Sequence, residues 1–228
     1  MKSTNIVIAI DGPAASGKST TARLVAQRLG YLHIDTGAMY RALTLRILRE
    51  GMSVHDEETV GRLAEQTEIS LQRTEHGNKV LLMGEDVTKE IRKPDVTRHV
   101  STISSYKAVR AVLVRQQRRL ARQGGVVLEG RDIGTVVLPE ADLKVFMVAN
   151  VKERARRRKQ DLQNAGVQVE EEALVQEILD RDTKDSTRVA SPLKRADDAI
   201  DVDTSNLTVD AQVDLIVMKA QEIIDRRS

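Results

Sequence analysis

The residues with the clearest chemical potential form a glycine-rich segment near the start of the sequence. Residues 12–19, GPAASGKS, match the phosphate-binding pattern G-x-x-x-x-G-K-[ST]. An apolar run at 6–10 precedes the segment and a stretch of helical periodicity follows it, which is the strand–turn–helix setting that the pattern requires. Glycines let backbone N–H groups curl around phosphate oxygens at a helix N-terminus. The expected phosphate-binding residues are Gly12, Pro13, Ala14, Ala15, Ser16, Gly17, Lys18, Ser19 and Thr20.

Two of these residues have distinct expected roles. The ammonium group of Lys18 would reach the phosphoryl group that is transferred, and the hydroxyl of Ser19 would ligate Mg²⁺. The alternative is a glycine-rich turn that only starts a helix, and a chance match in such a chain is on the order of one in a hundred. The segment therefore predicts binding of nucleoside triphosphate phosphates, and it leaves the reaction open.

A second candidate segment follows the next predicted strand. In the sequence DTGAMYR at 35–41, helical spacing places Thr36 and Tyr40 on one face, with Arg41 beside them. Taken alone, this segment is more typical of an ordinary helix start, in which Thr36 is the N-cap and Arg41 is solvated. Whether the segment binds a ligand depends on which other residues lie near it in the folded protein.

The sequence EGRDIGT at 129–135 follows the third predicted strand. In open α/β sheets, ligands bind beyond the carboxyl ends of the strands, where this segment is expected. Its glycines flank Arg131 and Asp132, so the backbone is suited to presenting both charges to a ligand. A surface turn with a local ion pair explains the same residues equally well.

A third charged set is Arg181, Asp185 and Arg188, spaced at i, i+4 and i+7 along one predicted helical face. An ion pair between the first two would stabilise the helix by about 0.2–0.5 kcal/mol. That pair gives no reason for a second arginine on the same face, so the set is a further, weak indication of an anion site.

The basic run KERARRRK at 152–159 has three interpretations. It is compatible with a nucleic-acid patch, with a solvated helix face, or with a mobile lid over phosphates. The run is short, lacks aromatic residues and is followed by three glutamates at 170–172, which weakens the nucleic-acid interpretation.

These segments must be positioned by regular structure, and the apolar pattern predicts which. Buried strands are expected at 6–10, 31–34, 125–129, 143–148 and 198–202. Amphipathic helices are expected at about 17–29, 38–50, 106–123, 151–165, 170–185 and 208–226, the last with Thr208 as its N-cap. Alternating strands and helices favour a parallel, doubly wound α/β sheet.

The interval between the second and third predicted strands is far longer than one crossover needs. Within it, 68–73 and 79–83 predict a β-hairpin around residues 75–78, with a further turn at 84–86. We therefore expect a small inserted β/α subdomain over 67–102, within a core formed by 1–66 and 103–228.

The composition narrows the class of protein. Hydrophobic residues make up 40% of the 228-residue chain and aromatic residues only 2%, which argues against a base-stacking surface for single-stranded nucleic acid. The formal net charge is +2 although 31% of residues are charged, so local basic patches are expected rather than a polycationic binder.

The sequence contains no cysteine, which excludes disulfides and cysteine-ligated zinc. The first apolar run is too short for a signal or membrane segment, so we expect a cytoplasmic monomer with no nucleic-acid or membrane partner.

Together the segments resemble the bacterial cytidylate kinases, and the resemblance covers essentially the whole chain. It rests on the motifs already described and on EDVTKEIR at 85–92. The combination is much more specific than a phosphate-binding loop alone. The long insert after the DTGAMYR segment is the feature that most resembles this family and least resembles other nucleoside monophosphate kinases.

The resemblance implies a P-loop NTPase-type fold of five parallel strands with a nucleoside monophosphate-binding insert and a lid at about 152–168. It also implies transfer of a phosphoryl group from Mg-ATP to CMP or dCMP, with charge stabilisation by Lys18, Arg131, Arg158 and Arg188. The acceptor phosphate would be held by Arg41, Arg131 and Arg188, the cytosine edge by Ser101, Arg110 and Asp132, and the sugar by Arg181 and Asp185. Thr36 and Tyr40 would complete the acceptor site, and the lid arginines Arg154, Arg157 and Arg158 would close on ATP.

Asp132 supplies a physical reason for base selection within this implied site. Its carboxylate accepts a hydrogen bond from the exocyclic amine of cytosine, whereas uracil presents a carbonyl oxygen at that position and would repel it. A kinase that prefers UMP or AMP is the alternative within the class. A P-loop switch that only binds or hydrolyses nucleotide is the alternative outside it, although such a protein would not need separate arginine-rich acceptor segments.

Overall fold

A computed structural model of the protein describes residues 5–74, 77–164 and 166–227. Its strands are β1 (Val7–Asp11), β2 (Leu32–Asp35), β3 (Ile69–Thr74), β4 (Gly77–Leu82), β5 (Glu85–Asp86), β6 (Val126–Gly130), β7 (Leu143–Val148) and β8 (Ile200–Asp203). Its helices are α1 (Lys18–Leu29), α2 (Thr36–Arg49), α3 (Glu57–Glu65), α4 (Pro94–Ser105), α5 (Lys107–Ala121), α6 (Val151–Asn164), α7 (Glu171–Thr187) and α8 (Val209–Asp225).

Five parallel strands form the main sheet in the order β2-β6-β1-β7-β8. The five predicted strands and the α/β fold class are confirmed. The pairing register places Asp11 opposite Gly130 and Asp35 opposite Glu129, so the carboxyl ends of β1, β2 and β6 lie at one edge. The phosphate-binding loop begins at this same edge, immediately after β1.

Aliphatic side chains fill the two faces of the sheet. Successive side chains of a strand point to opposite faces, and β1 accordingly divides its residues between two apolar clusters. Ile8 and Ile10 pack with buried residues of α1 and α8, whereas Ala9 packs with those of α2 and α5. Thr208 accepts a hydrogen bond from the backbone N–H of Ala211 and is the N-cap of α8, as predicted.

The predicted hairpin is present as part of a second, three-stranded antiparallel sheet of β3, β4 and β5. Ile69 pairs with Leu82 and Thr74 with Gly77, while Glu75 and His76 of the predicted turn lie outside the described residues. The buried side chains of this sheet, of α3 and of α4 belong to the same apolar cluster as those of α2 and α5. The insert is therefore packed on the main sheet's helices.

Helices α6 and α7 pack on each other through a small cluster of their own. Its buried members are Ala155, Leu174 and Ile178. In the part of the chain that the structure describes, no helix is both long enough and apolar enough to cross a membrane.

Candidate active site

The phosphate-binding loop has the backbone shape that its glycines allow. A Cβ atom on Gly12 would lie 2.2 Å from the carbonyl oxygen of Met147, so no other residue fits there. Gly17 has φ 89° in the left-handed region that glycine adopts at little cost, and it forms the N-cap of α1. Ala15 has φ 57° although it carries a side chain, and such strain is commonly found at functional loops.

Lys18 crosses this loop from the first turn of α1. Its side chain is buried, and its Nζ donates to the carbonyl oxygen of Pro13 across 2.9 Å. Burial, reinforced by the nearby charge of Arg131, lowers the pKa of Lys18 to about 7. The hydroxyl of Ser16 is fully buried and has no hydrogen-bond partner among the described residues. A lysine that forms no salt bridge among the described residues and an unused hydroxyl donor suit a loop that receives anionic oxygens.

The oxygens expected to hold a metal lie beside the loop. The Ser19 hydroxyl is exposed and donates to Oε2 of Glu129 across 2.6 Å. The other carboxylate oxygen of Glu129 lies 3.0 Å from Nε2 of His33, which fixes the orientation of the carboxylate. A hydroxyl and a carboxylate are ligands that Mg²⁺ accepts, and Mg²⁺ keeps several waters and phosphate oxygens in its shell. The donor set therefore fits Mg²⁺ bound together with a nucleotide.

Asp11 is a buried carboxylate that the sequence reasoning missed. Its Oδ1 accepts from the N–H of Ile133 at 2.8 Å and its Oδ2 from the N–H of Gly134 at 2.7 Å. These two residues begin a π-helical turn over Ile133–Val137, directly after Arg131 and Asp132. Burial, against the lowering effect of these two hydrogen bonds, raises the pKa of Asp11 to about 6. Asp11 thus fastens the Arg131–Asp132 segment to the strand that carries the phosphate-binding loop.

The Asp132 carboxylate lies between two arginines. Its Oδ2 accepts from Arg110 of α5, and its Oδ1 lies 3.5 Å from Nη2 of Arg188. All three side chains are at least nine-tenths buried. Tyr40 of α2 lies beneath this group, with its ring centroid 5.7 Å from Cζ of Arg110. Burial raises the pKa of Asp132, and the two arginines oppose that rise.

Arg131 points instead toward α7. Its Nε donates to Oδ2 of Asp185 across 2.8 Å. The hydrogen bond of Asp185 thus goes to Arg131 rather than to Arg181 of its own helix, although the charge of Arg181 still lowers the pKa of Asp185. Arg181 is itself largely buried, and burial with the nearby Arg131 lowers its pKa to about 10. The charges of Arg41 and Arg158 also lower the pKa of Arg181, while the carboxylate of Asp185 opposes them.

The predicted position of Arg188 on a continuous helical face is also wrong. Helix α7 ends at Thr187, and Arg188 has φ −60° and ψ 140°, which is extended backbone. The turn out of the helix swings its guanidinium toward Asp132. The juxtaposition of Arg188 and Asp132 is a tertiary contact that helical spacing did not indicate.

The start of α2 holds another part of the site. Asp35 is its N-cap, because its Oδ1 accepts from the N–H of Ala38, so the N-cap role expected of Thr36 is wrong. The hydroxyl of Thr36 donates to the carbonyl oxygen of Glu129 across 2.7 Å and joins the start of α2 to β6. Arg41 donates to Oδ2 of Asp35 across 2.8 Å, on the same edge of the sheet.

The predicted lid arginines lie on α6 and differ in their contacts. Arg154 is buried and donates to Oδ2 of Asp182 across 2.6 Å. Arg157 donates to the hydroxyl and carbonyl of Thr204 at 3.0 and 2.6 Å, and its guanidinium borders the phosphate-binding loop at Gly17. Arg158 is half-buried, and its charge contributes to the lowered pKa of Arg181.

Ser101 is the predicted residue with the least evidence of a site role in its contacts. It lies half-buried on α4, and its carbonyl oxygen accepts from the hydroxyl of Ser104 across 3.1 Å. Arg110, Asp132 and Arg188 form one contact group at the site, and Arg131 and Asp185 form another.

A loop of the phosphate-binding pattern at the carboxyl end of the central strand of a parallel sheet defines the class: this is a P-loop α/β protein. The model of the family described as cytidylate kinase matches residues 8–222, so the chain belongs to the cytidylate kinase family. A cytidylate kinase of Bacillus pumilus is 50% identical over 202 residues, which are 89% of this chain and 90% of the relative. A cytidylate kinase of Streptococcus suis is 49% identical over 223 residues, which are 97% of this chain and 99% of the relative.

Membership of this family makes the chain an enzyme, a transferase of the nucleoside monophosphate kinase class. The family resemblance inferred from the sequence motifs is confirmed. The chain covers nearly the full length of these relatives.

Proposed function

We propose that this protein transfers the γ-phosphoryl group of ATP to CMP and dCMP, forming ADP and CDP or dCDP. The observation that carries the proposal is the placement of Asp132 between Arg110 and Arg188, at the sheet edge where the phosphate-binding loop begins. A buried carboxylate flanked by guanidinium groups suits a cytosine ring, which offers an amine donor next to acceptor atoms. The phosphate of the same nucleotide would then meet Arg131 and Arg41.

The acceptor needs no general base. The second pKa of a phosphate monoester is about 6, so the acceptor is largely dianionic at neutral pH and is already a nucleophile. Its oxygen attacks the γ-phosphorus of ATP as the bond from that phosphorus to the β-bridging oxygen breaks, and ADP leaves. The contribution of the protein is in-line positioning and the stabilisation of charge.

The residues for these tasks lie on both sides of the cleft. Lys18 has a pKa near neutrality in the unliganded protein, and polyphosphate oxygens would favour its charged form. Asp185 orients Arg131, and Asp132 orients Arg188. Both guanidinium groups are therefore held in position before a ligand binds. Ser19, supported by Glu129, would hold Mg²⁺, which when bound neutralises charge on the phosphates.

We further propose that the insert at 67–102 binds the acceptor nucleotide and that a lid at about 152–168 closes over ATP. The small separate cluster of α6 and α7 supports a lid, because such a pair can move without opening either main core. Arg158 would join the phosphates on closure, and closure would exclude water that otherwise hydrolyses ATP.

A coupled assay of ADP release tests the proposal directly. Mg-ATP would be offered with CMP, dCMP, UMP, AMP or GMP in separate reactions. We expect rapid release with CMP and dCMP and little with the other three. Equal or greater turnover with UMP or AMP would show that CMP and dCMP are not the preferred acceptors. ADP release without any acceptor would show that the protein hydrolyses ATP instead of transferring the phosphoryl group.

A further inference from the structure

Ser191 has a backbone conformation that its sequence disfavours. Its φ is +54°, in the left-handed region that residues with a side chain rarely adopt. It also precedes Pro192, and a residue before proline is normally driven to extended backbone. Strain of this kind persists only where the surrounding contacts impose it, and it is concentrated at functional sites.

The contacts that impose this conformation lead to the acceptor site. The Ser191 carbonyl oxygen accepts from Nε of Arg188 across 2.6 Å. Two residues further on, the N–H of Leu193 donates to the carbonyl oxygen of Asp185 across 2.8 Å. The segment after α7 is therefore folded back on the end of its own helix, with Ser191 at the turn.

The side chain of Ser191 faces the same group. Ser191 lowers the pKa of Asp132, as do Arg110 and Arg188, so its hydroxyl lies near the carboxylate that both arginines contact. Ser191 and Arg110 line one groove between α5 and this segment. Ser191 thus accepts a hydrogen bond from Arg188 through its backbone, and its side chain lies near Asp132.

We propose that Ser191 is a positioning residue for the acceptor site. Its left-handed backbone directs a carbonyl oxygen at Arg188 Nε, so that the terminal nitrogens of the guanidinium face Asp132 and the acceptor. An arginine has five N–H donors in a fixed fork, and occupying Nε from one side fixes the plane of the other four. This inference rests on the proposed function in one respect, namely that the site binds CMP as the acceptor. The contact between Ser191 and Arg188 does not depend on it.

Substitutions that differ in tolerance of left-handed backbone separate this role from a merely structural one. Asn is enriched in that conformation, whereas a β-branched residue is an outlier there. Ser191→Val should raise the KM for CMP about tenfold, the effect of one hydrogen bond to a charged group. The KM for ATP should stay near that of the wild type, because the contacts described for Ser191 lie at Arg188 and Asp132. Ser191→Asn should retain a KM for CMP much closer to the wild type than Ser191→Val does.

Val189→Ala is the matched control, since this side chain is fully exposed in the same segment. Ser191→Thr is a milder β-branched variant that keeps the hydroxyl, and it serves if Ser191→Val does not fold. A lower melting temperature with an unchanged KM for CMP, or equal changes in the KM values of CMP and ATP, would overturn the proposal.

Nuclear magnetic resonance of the arginine Nε–H groups tests the contact without any acceptor. The Arg188 signal, assigned by its loss in Arg188→Lys, should exchange slowly with solvent in the wild type and in Ser191→Asn. It should exchange faster in Ser191→Val, and equal exchange in all three proteins would refute the contact. If the wild type phosphorylates another monophosphate, the proposed function fails, and the KM for that acceptor then decides the role of Ser191.

Discussion

Arg131 and Asp185 are joined by a 2.8 Å hydrogen bond from Nε to Oδ2, although they are 54 residues apart in the chain. The bond connects the segment after β6, which carries Arg131, to α7, which carries Asp185, and holds these two parts of the chain together. Burial alone would raise the pKa of Asp185, but Arg131 and Arg181 outweigh it and lower the pKa below its usual range. The carboxylate is therefore charged at every pH at which the protein would work.

Replacing Asp185 with Asn should weaken acceptor binding, because Arg131 loses the charge that orients it. We expect the KM for CMP to rise about tenfold, with stability lowered by on the order of 3 kcal/mol, since one partner of a buried pair is left alone. Initial-rate kinetics and urea unfolding measure the two effects. Asp180→Asn, an exposed carboxylate on the same helix, is the control, and equal effects of both variants would contradict this role.

Binding of ATP should be accompanied by uptake of a proton by Lys18. At pH 8 the side chain is mostly neutral in the free protein, since its pKa is about 7, and the phosphates favour the charged form. Calorimetry of ATP binding in two buffers of different ionisation enthalpy gives the number of protons. Uptake should approach about one proton per site at pH 8 and should decrease at pH 6, where Lys18 is already largely protonated.

Lys18→Arg is the matched control for this measurement, because a guanidinium remains charged at both values of pH. Proton uptake at pH 8 should be lost in this variant. The same uptake in both proteins would assign the proton to another group. Lys18→Met should abolish phosphoryl transfer while leaving the melting temperature close to that of the wild type.

Asp11 should make the stability of the protein depend on pH. Its pKa is about 6 when folded and near 3.8 when unfolded, so the folded state binds the extra proton between these values. The stabilisation is complete below the unfolded pKa and is lost as the pH rises through about 6. The stability of the wild type relative to Asp11→Asn should therefore fall by about 1.4 kcal/mol between pH 5 and pH 8. Urea unfolding at both values measures it, and a constant difference would disprove the raised pKa.

The contact of Glu129 with Ser19 predicts an effect on metal binding. Glu129→Gln removes the negative charge of the group that accepts a hydrogen bond from the Ser19 hydroxyl. A higher Mg²⁺ concentration should therefore be needed for the half-maximal rate. Binding of Mn²⁺ in the presence of ADP, followed by electron paramagnetic resonance, should weaken about tenfold or more. Glu140→Gln alters an exposed carboxylate and should change neither measurement. If Mn²⁺ binds Glu129→Gln as it binds the wild type, Glu129 has no part in the metal site.

Asp132→Asn tests whether Asp132 discriminates between the cytosine and uracil bases of the acceptor. An amide presents a donor as well as an acceptor, so it should no longer discriminate against the uracil carbonyl. The ratio of kcat/KM for CMP to that for UMP should fall about tenfold or more, as expected for losing a buried charged hydrogen bond. Asp198→Asn, which alters the exposed partner of Lys144, should leave the ratio unchanged. If the ratio of the two kcat/KM values is unchanged in Asp132→Asn, residues other than Asp132 select the base.

The main sheet was predictable because its strands are short, apolar and regularly spaced, and four of the five begin within one residue of the predicted position. Helices α3 and α4 were not predicted. Many residues of α4, among them Val96, Val100 and Ile103, are β-branched and typical of strands, yet they are buried against α2. Packing of an apolar face overrides such weak local preferences.

The site was predictable where local motifs carry it, and not where distant segments meet. The donors to Asp11 lie 122 and 123 residues further along the chain, so nothing near Asp11 indicates its role. Helical spacing placed Arg188 wrongly, because the helix ends one residue earlier and the chain turns back at Ser191. Such contacts depend on tertiary structure rather than on sequence periodicity.

The small cluster shared by α6 and α7 has a consequence for behaviour on heating. Among the described residues, the apolar cluster that joins this pair has three fully buried side chains, whereas the faces of the main sheet are covered by far larger clusters. The pair should therefore loosen at a temperature below the melting of the sheet, in a separate and reversible step. Catalysis would then decline while the protein is still folded and would return on cooling, so the upper working temperature is set by the weakest-packed helices rather than by global unfolding.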